Sequence, residues 1–152
     1  MAVYTPVSKH DITSFLENYD VGDYLSLTEI AEGVENSNFL LRTTNNTYIL
    51  TLYEKRVTPE DLPFFMSLLA ELHQAGISCP RPLTDKAGVI INKCAGKYAT
   101  IVSFLAGKTA QFTNHARCYE IGTMLAKFHL ATSDMHLSRE NPLGPQSWID
   151  II

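Results

Sequence analysis

The chain has 152 residues, 45% hydrophobic and 18% charged, with 8 Gly, 7 Pro and 3 Cys, which excludes disordered, collagen-like and disulfide-scaffold classes. At this length roughly 68–70% of the unfolded surface can be buried on folding, enough for one good core and too little for two large domains. Twelve Lys plus Arg against 16 Asp plus Glu give a net charge of −4, which argues against nucleic acid or an anionic membrane as the main partner.

Ser8-Lys9-His10-Asp11 has the pattern of a capping box and leads into Ile12, Phe15 and Leu16 on one helical face, predicting a short helix over 9–18. The alternation in Leu25–Ile30 predicts a half-buried strand, Glu32–Ser37 a polar loop, and Asn38–Thr43 a second strand. Thr44-Asn45-Asn46-Thr47 is a tight-turn signal, because Asn tolerates positive φ, and Tyr48–Tyr53 reads as a third strand completing an antiparallel meander. Thr58-Pro59-Glu60-Asp61 predicts a helix opening with Thr58 as N-cap and Pro59 at the first helical position. That helix should run to Gln74, with Gly76 as its stop, and pack the stripe Leu62, Phe65, Leu68, Leu69 and Leu72 on the sheet.

Cys79-Pro80-Arg81-Pro82 is forced extended, and Gly88–Asn92 and Tyr98–Phe104 are the remaining strand candidates, around a turn at 92–96. A second long helix should begin at Thr113 and end near Thr132, with Cys118, Ile121, Leu125 and Phe128 on one face. The tail from Asp134 to Trp148 is turn-rich and closes on Ile149, Ile151 and Ile152. Cys79, Cys94 and Cys118 form no C-x-x-C and suit incidental or buried thiols. Asn45-Asn46-Thr47 reads as a chance sequon, since no basic flank and apolar run marks a secretion signal. No stretch approaches the 18 or more apolar residues a membrane span needs, so a cytoplasmic protein is expected.

Chemistry concentrates at the first strand–loop–strand unit. A hairpin rich in small and amide residues, Gly33-Val34-Glu35-Asn36-Ser37-Asn38, can lay backbone N–H groups over a triphosphate. The element order, a five-stranded sheet with a helix between its third and fourth strands and a connector into a helical region, is that of the small lobe of a kinase-like phosphotransferase. Ile30–Phe39, Tyr48–Val57, Glu60–Phe65, Cys79–Pro82, Ile101–Gly107 and Gly122–His129 together carry a specific likeness. On these stretches the chain resembles the homoserine kinases of the kinase-like family that includes aminoglycoside phosphotransferases and choline kinases.

The resemblance implies an α+β fold, with a kinase-like nucleotide-binding lobe over 1–105 and the start of a helical lobe over 106–152. It implies ATP with Mg2+ between two lobes and transfer of the γ-phosphoryl group to the hydroxyl of L-homoserine, a step toward threonine. It places Gly33, Asn36, Ser37 and Asn38 in the phosphate-covering loop and Ser103, Phe104 and Leu105 at the adenine hinge. Thr51 stands at the nucleotide-facing position of the third strand where many relatives carry a phosphate-binding Lys. Arg42, Lys55 or Arg56 could supply a cation instead, and Glu60 or Glu71 could take the role of the helix Glu that normally holds the Lys; each also reads as a solvated charge.

The family's His-x-Asp catalytic loop and metal-binding Asp have no counterpart, since none of His10, His73, His115, His129 and His136 begins a His-x-Asp. The chain therefore reads as the N-terminal part of a longer kinase, inactive alone and disposed to dimerise through an uncovered apolar face. The alternatives are a kinase for another small alcohol, such as choline or an aminoglycoside, and a non-catalytic kinase-like binding module.

Overall fold

The structure, a computed structural model, describes residues 4–31, 35–54, 57–108, 112–141, 144–145 and 148. Strands β1 (Tyr24–Ile30), β2 (Ser37–Thr43), β3 (Thr47–Tyr53), β4 (Asn92–Cys94) and β5 (Lys97–Ser103) form one antiparallel sheet in the order β1-β2-β3-β5-β4. The helices are α1 (Lys9–Leu16), α2 (Leu62–Gln74) and α3 (His115–Thr132).

Because successive strand residues point to opposite faces, the register divides the sheet into two surfaces. Phe39, Leu50 and Ile101 stand opposite one another across β2, β3 and β5, and Ser37, Leu52 and Ala99 form the next row of the same face. This face is the core: Phe39, Leu41, Leu50, Leu52, Ala99, Ile101 and Cys94 pack with Ile12, Phe15, Leu16, Tyr19 and Val21 from α1 and the turn after it. The predicted capping box opens α1, with the Ser8 hydroxyl accepting from the Asp11 N–H and the Asp11 carboxylate accepting from the Ser8 N–H. Gly22 is required where the chain leaves this layer: its φ is +84°, and a Cβ there would lie 2.5 Å from Thr44 Oγ1 in the β2–β3 turn.

Several expectations need correction. The leading helix ends at Leu16, two residues short of the expected 18. The second helix begins at Leu62, not beside Thr58: the Asp61 N–H donates to the Thr58 carbonyl, so Thr58–Asp61 closes a separate turn. Pro63 then stands second in the helix, within the first turn, where its missing N–H has no intrahelical partner to lose. The helix ends as expected at Gln74, where Gly76 at φ +78° permits the bonds from Gly76 to His73 and from Ile77 to Leu72 that satisfy its last carbonyls. Its buried residues are Leu62, Met66 and Leu72, and they lie outside the sheet's core cluster, because α1 already fills that face. An ion pair joins α2 to the segment after α3: Arg139 Nη2 lies 2.7 Å from Asp61 Oδ2, with its guanidinium over the Phe65 ring.

The fourth strand also moves, from 88–92 to Asn92–Cys94. The Asp85 carboxylate accepts the N–H groups of Ala87 and Val89, and the Asp85 N–H donates to the Val89 carbonyl, so a turn consumes the backbone that an earlier strand would need. Helix α3 starts after an Asn114 N-cap and has no buried residue; Ile121 and Leu125 on its expected packing face are 67% and 53% exposed.

Replacing fully buried Leu50 by Ala is expected to cost about 2–5 kcal/mol, through lost transfer energy and the cavity left behind. Ser8→Ala should cost about 1 kcal/mol, the value of an N-cap. Urea unfolding of both variants checks the contrast.

Candidate functional site

The candidate site lies on the sheet surface opposite α1, part of which is itself covered, since Thr100 there is 1% exposed. Asn38, Thr51 and Thr100 stand in one row across β2, β3 and β5, and Leu40, Ile49 and Val102 form the adjacent row, half-buried and apolar. The Thr51 hydroxyl donates to Asn38 Oδ1 at 2.8 Å. This bond fixes the amide, so its NH2 group, a double donor, points away from Thr51. Tyr53 approaches the row from its end, its hydroxyl 3.2 Å from Thr100 Oγ1, and burial pushes its phenol pKa up, which keeps the group neutral. The result is a half-buried apolar row beside an amide–hydroxyl pair.

Of the candidate residues, the structure brings Asn38 of the loop exit and Thr51 of β3 together and sends Ser37 to the opposite face. Ser37 is fully buried on the core side, where its hydroxyl donates to Glu54 Oε1 at 2.6 Å and accepts the N–H groups of Tyr4 and Thr5. The Asn36 amide oxygen accepts the Glu54 N–H. Gly33 lies outside the described residues, as do the candidate cations Lys55 and Arg56 and the tail residues Ile149, Ile151 and Ile152. Arg42 is exposed at the far end of β2, beside the β2–β3 turn and four residues from Asn38. Glu60 is exposed in the turn before α2, and Glu71 lies on the last turns of that helix.

Glu54 was invisible as a site residue in the sequence. Its side chain is 6% exposed, and Lys97 Nζ lies 2.9 Å from Oε2, which also accepts the Thr5 hydroxyl. Burial alone would raise its pKa; hydrogen bonds from Ser37, Lys97 and Thr5, with the Lys97 charge, outweigh that and hold the carboxyl below the ordinary glutamate range. The signal that could have found it is Ser37 itself, a polar residue in phase with Phe39 and Leu41 on the core face.

At the expected hinge, Ser103 ends β5 and is clamped to the segment before it. Its N–H donates to the Arg81 carbonyl and its hydroxyl accepts the Arg81 N–H, with a single bridge between Pro82 and Val102 because proline cannot donate to a ladder. Phe104 and Leu105 follow, 44% and 46% exposed, beside a cavity of about 660 Å³ lined in part by Arg81, Pro82, Ser103 and Phe104. Among the described residues, no group of three or more His, Cys, Asp or Glu side chains could hold a metal ion. None of the helices of the described residues is long and apolar enough to cross a membrane.

The family pattern described as "Phosphotransferase enzyme family" matches residues 26–151. A homoserine kinase of Bradyrhizobium sp. (strain BTAi1 / ATCC BAA-1182) is 48% identical over 99% of this chain and 46% of its own length. A homoserine kinase of Rhodopseudomonas palustris (strain BisA53) is 50% identical over 97% of this chain and 45% of its own. The chain thus spans about half the length of the curated relatives it matches. Among solved structures, a spectinomycin phosphotransferase crystallised with ADP and spectinomycin superposes with a TM-score of 0.70 at 15% identity, covering 96% of this chain and 45% of that one. A microcompartment-associated aminopropanol kinase gives 0.67 at 16%, covering 88% and 45%. Both share the kinase-like fold, with its five-stranded antiparallel sheet and helices.

The lowered Glu54 carboxyl makes a signed prediction. A depressed folded-state pKa contributes stability above the unfolded value, 4.5 for this group, and that contribution is lost as pH falls through the folded value. The unfolding free energies of the wild type and of Glu54→Gln should therefore differ most near neutrality and converge in acid, as read by urea titrations from pH 7 to pH 3.

Proposed function

Because the chain belongs to the phosphotransferase enzyme family, we propose that it forms the nucleotide-binding part of an ATP-dependent homoserine kinase, a cytoplasmic enzyme acting toward threonine. The observation that carries this reading is the likeness to homoserine kinases at 48–50% identity along almost its entire length. The nucleotide lobe is assigned to 1–105 and the first part of the acceptor lobe to 106–152. When bound, ATP supplies the γ-phosphoryl group that passes to the substrate hydroxyl.

Leu40, Ile49 and Val102 form the adenine floor, and Phe104 and Leu105 present hinge backbone to its edge. The Asn38 NH2 group, oriented by Thr51, donates to a phosphate oxygen, while the backbone of Asn36–Asn38 covers the phosphates from the loop. Thr51 is a neutral hydroxyl at a position where a lysine would contribute a full charge, so this lobe orients the phosphates by hydrogen bonds rather than by pairing them.

The test is ADP release by the full-length protein with ATP, Mg2+ and L-homoserine, with choline and an aminoglycoside as controls. Homoserine-dependent release is the expected outcome. Release with a control alone assigns another small alcohol, and ATP binding without release favours a non-catalytic binding module. Thr51→Val, similar in shape and lacking the hydroxyl, should raise the ATP KM about threefold to tenfold through the loss of one neutral hydrogen bond and the freeing of the Asn38 amide. The 152-residue chain alone should be inactive and should self-associate through the exposed Ile121, Met124 and Leu125 on one face of α3, which light scattering at several concentrations checks.

A further inference from the structure

We propose that Glu54 is a positioning residue for the nucleotide phosphates, acting from the core face of the sheet through Ser37 to hold the exit of the phosphate-covering loop. The proposal rests on the kinase reading above and adds a residue outside the nucleotide surface.

The geometry is specific. Ser37 has one donor and two acceptor sites, and all three are used: the donor goes to Glu54 Oε1 at 2.6 Å, and the acceptors take Tyr4 N at 2.9 Å and Thr5 N at 3.2 Å. Glu54 in turn accepts the Thr5 hydroxyl and pairs with Lys97. Its backbone N–H donates to Asn36 Oδ1, so it touches two successive residues of the loop exit. One residue further on, Asn38 emerges on the other face and meets Thr51. The exit is thus clamped from both faces: below by a charge-assisted bond to a nearly buried carboxylate, above by an amide–hydroxyl bond.

Lys97 neutralises that carboxylate, so the negative charge near a triphosphate is offset where it stands. The N-terminal segment completes the clamp, since Tyr4 and Thr5 cross the sheet's core side through Ser37. Without Glu54, the Ser37 hydroxyl loses its acceptor in a fully buried position, and the strand end carrying Asn38 is released at its root. Asn38 touches the nucleotide in this scheme; Glu54 acts only through it and the loop backbone.

The test uses Glu54→Gln, Glu54→Ala and Ser37→Ala in the full-length protein. Glu54→Gln keeps the side-chain volume and one acceptor oxygen, so it folds where the alanine variant fails. Steady-state KM values for ATP and for homoserine are measured separately, together with amide hydrogen exchange at Asn36, Ser37 and Asn38 and, as an internal standard, at Leu50 and Leu52. The expected result is a rise of about tenfold in the ATP KM, the effect of weakening one charge-assisted bond, with the homoserine KM unchanged. Exchange at 36–38 should quicken while Leu50 and Leu52 keep wild-type protection. An unchanged ATP KM in a folded variant, equal rises in both KM values, or a loss of kcat alone would overturn the proposal. A wild type that binds ATP but does not phosphorylate homoserine overturns only the acceptor assignment. The ATP dissociation constant then takes the place of KM and decides the role of Glu54 by the same criteria.

Discussion

The packing of α1 on one face of the sheet is the constraint on which the rest of the molecule depends. A strand exposes alternate residues on opposite sides, so when Ile12, Phe15 and Leu16 bury Phe39, Leu41, Leu50, Leu52, Ala99 and Ile101, the residues between them are committed to the other surface. Asn38, Leu40, Ile49, Thr51, Thr100 and Val102 follow from that choice without any further instruction. A one-residue slip of β2 against β3 would exchange the core and the candidate nucleotide floor. The register of this hairpin therefore carries both stability and function.

Polar groups fix the ends of that sheet. At the β2–β3 turn the Thr43 hydroxyl donates to the Val21 carbonyl and accepts the N–H groups of Asn45 and Asn46, joining the turn to the chain leaving α1. At the opposite end Glu54, Ser37, Thr5 and Lys97 join β3, β2, the N-terminal segment and β5. Between these anchors the apolar rows need no polar support. The burial of Glu54 is tolerable because each carboxylate oxygen has a partner and a cation stands beside it; a lone carboxylate there would be strongly unfavourable.

The helices show where periodicity stops being informative. The stripe on α2 was legible, but an apolar stripe states only that a face is covered, not what covers it. The sheet's core face was already filled by α1, a helix of eight residues, so α2 buries Leu62, Met66 and Leu72 outside that core. The same holds for α3, whose Ile121 and Leu125 have helical spacing yet remain exposed. For the fourth strand, the turn-forming capacity of Asp85, whose carboxylate accepts the N–H groups of Ala87 and Val89, outweighs the apolar run Val89-Ile90-Ile91.

The sequence alone specifies the local elements whose signals lie within a few residues: the Ser8 capping box, the Asn45-Asn46 turn, the Gly76 helix stop, and the strands β1, β2, β3 and β5. It also pointed to Asn38 and Thr51 through a family likeness. The pairing of distant segments sets which face of the sheet becomes the core, that Asn38 and Thr51 share a row, and that Ser37 turns away from them. It alone brought Glu54 opposite Lys97, one step beyond the Tyr53–Tyr98 pair. The physical reason is separation along the chain: capping and turns are set by neighbours, whereas the β3–β5 pairing joins segments more than 40 residues apart, and no local propensity records that contact.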